Sequence, residues 1–339
     1  MARALSLTTS CRELARNMSR RRLTESIAAG LRVTGAGPVL HALANTFQGG
    51  YVLAFHSAPA RTMVDLVEAL HPDRVVSLDE IVQRLAAGKS TSGLFAITVD
   101  DGYQGTVIDY CAAARGKGWP MTFFLPTRYL EERTLPFLLV QNLEARLPSV
   151  VLELPSGSID LRTETARQAY FGRLTQQMYQ RREAEFMPEV EAIATHAIAL
   201  GLLTDDEVRD APAPISWDQV ETLARQDGIS FQSHGVTHQA VVSLDADELR
   251  NELRASQAAI RARTDRPVNH FCYPYGGTAS IGTAAPAIVA ETFEAAVTMS
   301  RGRLRGSTLY ALPRIPLYDR DRGDIARLKV LTAASYRNP

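Results

Sequence analysis

The stretch Leu94-Phe95-Ala96-Ile97-Thr98-Val99-Asp100-Asp101-Gly102 decides the fold. It begins with apolar and β-branched residues, which predict a buried strand, and it ends in two carboxylates and a glycine. Two adjacent carboxylates after an apolar strand are costly unless a cation or a proton holds them there. Asp-Asp-Gly on its own is also a common turn, so this stretch indicates a strand with either a turn or a functional site at its end.

The pattern of a strand followed by a helix repeats on both sides of this stretch. Strands are predicted before and after it, at Tyr51–Phe55 and Met121–Leu125, with a helix over Thr106–Arg115. Repeated strand–helix units with short connections indicate a parallel sheet, and we predict an α/β fold, a distorted (β/α) barrel. The other predicted elements are helices at Thr62–Leu70, Ser77–Ala87, Ser216–Ala224 and Asp245–Arg263, and strands at Ile229–Gln232, His270–Tyr273, Ala295–Met299 and Ala311–Leu317.

The alternation stops between about residues 130 and 213. Glu164–Leu203 is rich in Gln, Arg, Glu and Ala and has few helix breakers, which predicts a helical insertion or lid. We therefore predict an N-terminal helical extension over residues 1–49 and one α/β domain over residues 50–318, which carries the insertion. A C-terminal tail or helix is expected over residues 319–339.

The charge balance excludes one broad class of function. The 339 residues hold 37 basic and 37 acidic side chains, so the formal net charge is zero. This balance argues against a protein that binds nucleic acid through its phosphates. The three cysteines, Cys11, Cys111 and Cys272, form no CxxC pair, which excludes a zinc ribbon and a thioredoxin-type motif.

The sequence shows neither a secretory signal nor an apolar run long enough to cross a membrane. We therefore expect a cytoplasmic protein. The segment Arg12–Arg32 is rich in arginine and poor in acidic residues. It is either a helix that packs on or trails from the main domain, or an amphipathic helix that makes peripheral contact with the inner surface of the membrane.

Three chemically distinctive sites follow predicted strands: Asp100-Asp101, the pair His234 and His238, and Tyr273-Pro274-Tyr275-Gly276. In parallel sheets and barrels, the loops after the strands form the functional face. One carboxylate and two imidazoles leave open positions on a divalent ion, as in hydrolytic rather than structural metal sites. Each motif alone is explained by a turn or by surface histidines, but the three together favour a metal-dependent hydrolase.

These motifs resemble those of the polysaccharide deacetylases, the NodB-homology group or carbohydrate esterase family 4. Ala96–Tyr103 is similar to the family's first motif, although Val99 stands where Phe is usual. His234–His238 is similar to the second motif, with glycine in place of Ser or Thr at its second position, and Phe271–Gly276 is similar to the third. Val52–His56 resembles the strand that opens many members, and the resemblance implies a barrel of the NodB type.

The resemblance implies an enzyme that removes the N-acetyl group from an N-acetylhexosamine unit of a bacterial polysaccharide or its precursor. Asp101, His234 and His238 would bind a divalent metal, with zinc favoured over cobalt, nickel or iron. Asp100 would be the general base toward the metal-activated water, and the backbone N–H of Tyr275 would stabilise the oxyanion. Substrate contacts are expected from Tyr103, Tyr273, Pro274, Tyr275 and Arg314.

The chain departs from the family at the general acid, which is usually a histidine in a late Leu-x-His motif. No histidine follows His270, and Arg314 stands at the corresponding place. This arginine can hold a carboxylate or a substrate oxygen, but it cannot donate a proton at neutral pH. His56 is the first candidate for the acid, with a structural role equally open, and Asp100 could instead return its own proton. The alternative functions are a glycan-binding pseudo-enzyme and a hydrolase of another sugar-linked amide, such as a formyl group.

Overall fold

The structure is a computed structural model that describes residues 49–70, 74–133, 135–154, 157–304 and 308–333. Its strands are β1 (Tyr51–Phe55), β2 (Phe95–Val99), β3 (Met121–Leu125), β4 (Val151–Leu154), β5 (Gly157–Asp160), β6 (Ile229–Ser233), β7 (His270–Cys272), β8 (Ala295–Val297) and β9 (Arg314–Pro316). Its α-helices are α1 (Ala60–Leu70), α2 (Leu78–Ala86), α3 (Gln104–Lys117), α4 (Thr127–Glu132), α5 (Pro136–Arg146), α6 (Glu164–Met178), α7 (Glu183–Ala199), α8 (Asp205–Val208), α9 (Trp217–Ala224), α10 (Ala246–Thr264), α11 (Thr278–Ile281), α12 (Ala285–Val289) and α13 (Gly323–Ala333).

Seven of these strands form one parallel sheet in the order β8-β7-β6-β3-β2-β1-β9. A further parallel bridge joins Val297, at the end of β8, to Leu312, shortly before β9. The sheet therefore curves into a nearly closed barrel, and the helices surround it. This architecture confirms the predicted α/β fold and distorted (β/α) barrel.

Alternate residues of the strands contribute to different apolar clusters. Leu53 and Phe55 of β1 pack in the main core with the surrounding helices. Val52, which precedes Leu53 on the strand, packs in a second cluster with Phe124 and Cys272 of other strands. This alternation is what a strand requires when both of its faces are buried, one in the barrel interior and one beneath the helices.

The helix starts follow the capping signals in the sequence. Ser77 precedes α2 and its Oγ accepts a hydrogen bond from the backbone N–H of Glu80, at 3.1 Å. Asp245 caps α10 in a reciprocal capping box with Glu248. A side-chain oxygen at this position satisfies an N–H that has no partner within the helix, so these residues fix where each helix begins.

Between α4 and α9 the chain leaves the barrel and forms a helical insertion with its own apolar core, to which Leu143, Phe171 and Ile193 contribute. The predicted helical stretch Glu164–Leu203 contains two long helices, α6 and α7, and the short α8 follows it. The insertion also contains an antiparallel hairpin of β4 and β5 that the sequence did not predict. Each of its strands has four residues, too few for an alternation of apolar and polar residues to be recognised.

The predicted N-terminal extension, apart from Gly49, lies outside the described residues, as does the segment Arg12–Arg32. At the other end, α13 follows the barrel, where the sequence left a tail or a helix open. None of the described helices is both long enough and apolar enough to span a bilayer.

Candidate active site

The carboxyl ends of β2 and β6 bring together one carboxylate and two imidazoles. The Nε2 atoms of His238 and His234 lie 3.5 Å and 3.7 Å from Oδ1 of Asp101. One ligand atom from each of the three residues lies within 4.8 Å of the others, and all three side chains are buried. The structure thus places the three predicted metal-binding residues in one cluster.

The ring of His234 is oriented by the neighbouring strand. Its Nδ1 lies 2.7 Å from the backbone oxygen of Cys272, which fixes Nδ1–H as the donor and leaves Nε2 directed at Asp101. Burial, together with the adjacent ring of His238, lowers the pKa of His234 to about 4. The imidazole is therefore neutral near pH 7, which is the protonation state that binds a metal.

The cluster fits a divalent metal by its chemistry. Burial acts to raise the pKa of Asp101, but the hydrogen bond from His238 and the nearby imidazoles outweigh it and hold that pKa well below its usual range. Nδ1 of His238 is buried and has no hydrogen-bond partner among the described residues. An ionised carboxylate and two imidazoles form a donor set typical of zinc and similar ions.

Asp100 is held by an arginine from the last strand of the barrel. Nη1 and Nη2 of Arg314 each donate to one carboxylate oxygen of Asp100, both at 2.7 Å. Arg314 also donates to Oγ1 of Thr98 and to the backbone oxygen of Thr298, both at 3.0 Å, and its side chain is fully buried. Burial acts to raise the pKa of Asp100, but the guanidinium outweighs it and holds that pKa below its usual range.

From the sequence, Arg314 could hold either a carboxylate or a substrate oxygen. The structure shows that it holds a carboxylate, that of Asp100. The guanidinium also lies 3.0 Å from Sγ of Cys272. The small cysteine side chain on β7 leaves room for the large arginine side chain on β9. Tyr273 is likewise buried, and its hydroxyl donates to the backbone oxygen of Tyr310 at 3.0 Å. Pro274 is buried as well. These three predicted substrate-binding residues lie in the interior, where they support the site without reaching its surface.

His56 follows β1 and lies beside the same carboxylate. Its Nε2 is 3.5 Å from Oδ2 of Asp100, and about a third of its side chain is exposed (33%), against 2% for Asp100. The structure therefore brings the predicted acid and the predicted base together, with His56 on the accessible side. His270, in contrast, lies at the start of β7, where its Nε2 is 2.8 Å from Oδ1 of Asp79.

Aromatic side chains line the cluster. The ring of Tyr275 lies 4.9 Å from that of His238, and burial together with the nearby carboxylate of Asp101 raises the pKa of Tyr103. The insertion adds Phe137, whose ring is 5.1 Å from His238, and Tyr179, whose ring is 4.8 Å from Tyr275. Sequence reasoning assigned no role at the site to Phe137, Tyr179 or Cys272. No sequence signal distinguishes these aromatic residues from the core residues of the insertion.

The backbone at the site adopts a conformation that side chains rarely allow. Asp101, His238 and Tyr275 have φ values of 71°, 59° and 61°, in the left-handed region. They are three of the five such non-glycine residues in the described part of the chain. Left-handed non-glycine residues cost about 1–3 kcal/mol each and persist where the surroundings enforce them, often at functional sites.

A pocket of about 360 Å³ is lined by residues that neighbour the site in the chain. Ser57, directly after His56, forms one side of it, and Tyr103 with the first turn of α3 forms another. Pro212 and Ala213, at the end of the insertion, complete the wall. The pocket therefore contacts the residues directly after His56 and Gly102, while His56 and the three clustered residues are not among its lining.

The sequence and the fold are both similar to known proteins. A sequence model of the family described as polysaccharide deacetylase matches residues 87–285. No curated protein matches the chain. The fold resembles that of the Streptococcus pyogenes deacetylase PplD in complex with acetate, with a TM-score of 0.54 and 12% identity over 84% of this chain and 97% of that one.

Two further solved structures share the architecture. IcaB from Ammonifex degensii has a TM-score of 0.51 and 13% identity, over 85% of this chain and 98% of that one. A polysaccharide deacetylase from Bacillus cereus has a TM-score of 0.51 and 11% identity, over 84% of this chain and 69% of that one. At such low identities the likeness shows a shared fold.

Proposed function

The chain belongs to the polysaccharide deacetylase family, hydrolases that act on carbon–nitrogen bonds, and from this premise we propose a specific reaction. The enzyme removes the acetyl group from an N-acetylhexosamine unit of a bacterial polysaccharide or its precursor, with a divalent metal, zinc by preference. Residues 50–318 form its catalytic domain, with the insertion at about 130–213. The observation that carries the proposal is the buried Asp101-His234-His238 cluster beside an ionised Asp100.

Asp101, His234 and His238 would hold the metal. When bound, the metal would activate a water molecule and polarise the acetyl carbonyl. Asp100 accepts the proton of the attacking water. Arg314 keeps that carboxylate ionised and, because both oxygens are held, in one orientation.

His56 is the proposed general acid for the leaving amine. It is the partly exposed group beside Asp100, so it can take up the proton that Asp100 has accepted and pass it to the sugar nitrogen. The backbone N–H of Tyr275 is the proposed donor to the oxyanion. The left-handed φ at Tyr275 turns this peptide away from the direction of an extended strand.

The sugar is proposed to enter from the side of His56, through the pocket between Ser57, Tyr103 and Pro212. Tyr103 forms part of that wall and is the proposed aromatic contact for the sugar. The acetate in the solved structure of the Streptococcus pyogenes deacetylase supports acetate as the second product here.

The test measures acetate release from N-acetylglucosamine oligomers, together with the metal content of the purified protein. We expect zinc-dependent release that Asp100→Asn abolishes, and loss of bound metal in His234→Ala. His196→Ala, on α7 in the insertion, is the matched control and is expected to behave as the wild type. Bound metal without acetate release from any acetylated glycan would support the pseudo-enzyme instead. Release from N-formyl but not N-acetyl sugars would reassign the acyl group.

A further inference from the structure

The loop between the two histidines, Gly235–Thr237, is held from both sides by side chains and backbone. Gly235 has a φ of 82°, and His238, which follows the loop, has a φ of 59°. Since the loop cannot form strand or helix hydrogen bonds in this conformation, each of its backbone groups needs another partner. The identity of these partners shows what fixes the distance between the two imidazoles.

The carbonyl groups of the loop face the start of α4. The backbone N–H of Thr127 donates to the oxygen of Gly235 at 3.1 Å, and that of Arg128 donates to the oxygen of Val236 at 2.9 Å. These contacts use backbone donors of a helix N-terminus, which have no partner within the helix. They hold the loop on one side only, because the amide groups point away from them.

The amide groups of the loop face α10, and one side chain accepts most of them. Oε2 of Glu252 accepts from the backbone N–H of Val236 at 2.7 Å. The two carboxylate oxygens accept from the N–H of Thr237 at 3.2 Å and 3.3 Å, and Oε1 also accepts from its hydroxyl. Gly235 donates instead to Oγ of Ser233, at 3.2 Å.

A second residue of α10 supports the same arrangement. Oγ of Ser256 lies 2.6 Å from Oγ of Ser233, and Ser256 stands one helical turn after Glu252. Residues four apart lie on the same face of a helix, so α10 presents one polar edge to the end of β6. Within this edge, Glu252 is the residue that contacts the loop directly.

We propose that Glu252 is a positioning residue that sets the metal affinity of the site by fixing the loop between His234 and His238. The inference rests on the proposed function in one respect, that these histidines bind the metal. His238 depends on the loop because its Nδ1, unlike that of His234, has no hydrogen-bond partner among the described residues. Without Glu252, the amides of Val236 and Thr237 lose their acceptor and the left-handed backbone at His238 loses its support.

The test uses Glu252→Gln. In this variant an NH2 group replaces one of the two carboxylate oxygens that accept from the backbone N–H groups of Val236 and Thr237, and an NH2 group cannot accept. Glu291→Gln is the matched control, because Glu291 accepts from Arg250 at the surface, away from the loop. Metal-stripped full-length proteins are titrated with Zn²⁺ against a chromophoric chelator and with Co²⁺ by visible absorption. Loss of a hydrogen-bond partner of a metal ligand itself typically weakens metal binding by about 10–100-fold. Glu252 acts through the loop rather than on a ligand, so we expect E252Q to fall at the lower end of that range.

We expect E291Q to bind both ions as the wild type does, and the deacetylase activity of E252Q to recover as the Zn²⁺ concentration is raised. The absorption spectrum of the Co²⁺ form is expected to change in E252Q, which a general loss of stability would not produce. Thr237→Val removes one donor to Glu252 and keeps the carboxylate, so a smaller loss of affinity is expected. It tests the same contact if E252Q does not fold.

Wild-type affinity for both ions in E252Q would overturn the role of Glu252 and leave the proposed function intact. If T237V is the folded variant of the two, unchanged affinity in it has the same meaning. If the wild type itself binds neither ion, the assignment of the histidines as ligands fails, and the role of Glu252 falls with it.

Discussion

The guanidinium of Arg314 binds both carboxylate oxygens of Asp100, at 2.7 Å each, across 214 positions of sequence. Both side chains are buried, so neither charge has water to replace its partner. A bidentate pair of this kind fixes the orientation of the carboxylate as well as its charge. The proposed base, directly after the second strand, is therefore oriented by a residue of the last strand of the barrel.

Replacing Arg314 by Ala should leave Asp100 as a buried, uncompensated charge. Breaking such a pair costs about 3–5 kcal/mol, so we expect Arg314→Ala to lower the free energy of unfolding by that amount and to abolish deacetylation. Denaturant unfolding measures the first effect. The double variant with Asp100→Asn removes the stranded charge, and it should regain much of the stability without regaining activity. Equal stabilities for the single and double variants would contradict this account.

Replacing His56 by Gln should affect substrates according to their leaving group. If His56 protonates the amine, His56→Gln should lower kcat on an N-acetyl sugar by about 10²–10⁴-fold, the usual contribution of a general acid. Hydrolysis of 4-nitrophenyl acetate should fall much less, because its leaving group needs no proton. Steady-state kinetics on both substrates gives the comparison, and an equal loss on both would assign His56 to binding or structure.

The aromatic contact between the insertion and His238 should link the insertion to activity. Phe137→Ala and Phe171→Ala each remove a buried phenylalanine from the same apolar core, and each should cost about 3–5 kcal/mol of stability. Only Phe137 lies against the ring of His238. At a temperature where both variants are folded by circular dichroism, F137A should lose activity and bound metal while F171A retains them. Parallel losses in both would mean that the contact has no specific effect.

The buried Lys329 should make the free energy of unfolding increase as the pH rises above about 8. Burial lowers the pKa of Lys329 from 10.5 to about 8, although Asp321 beside it acts in the opposite direction. Between these two values the unfolded chain holds a proton that the folded chain has lost. Stability therefore increases with pH across this window, by up to about 3 kcal/mol, and the penalty is fully present below it.

The reference for this effect is the double variant Lys329→Met with Asp321→Asn, which removes both partners of the buried pair. Its free energy of unfolding, measured by urea denaturation at intervals from pH 7 to 10, should lack the rise seen in the wild type. Other titrating groups are common to both proteins and cancel in the difference. Parallel pH profiles would show that Lys329 keeps an ordinary pKa in the folded state.

Much of the fold could be predicted because local signals and the final structure agree. The apolar run at β2 ends at Asp100, and the cap at Ser77 starts α2 as expected. The grouping of Asp101 with His234 and His238 followed from their common place after parallel strands. That argument needs only the direction of the strands, and so it did not depend on knowing the packing in detail.

The contacts that complete the site could not be predicted in the same way. Arg314 reaches Asp100 only because the barrel brings β9 beside β1, and the sequence contains no measure of that distance. Glu252 is one of many glutamates on helix surfaces, and Phe137 is one of several aromatic residues in the insertion. Their roles arise from long-range packing, for which a single sequence provides no local signal.

Because the barrel is nearly closed, the register of its last strand, β9, decides whether Arg314 meets Asp100. β9 pairs with β1, where Arg314 stands opposite Val52. On its other side the chain meets β8 through the bridge between Leu312 and Val297, and the backbone N–H of Arg314 donates to the oxygen of Ser300 at 3.0 Å. A shift of one residue in this pairing would turn Arg314 to the other face of the sheet and strand a negative charge in the interior. The ion pair between Asp100 and Arg314 therefore disfavours barrels with a shifted register, and only the correctly paired barrel holds the proposed base in place.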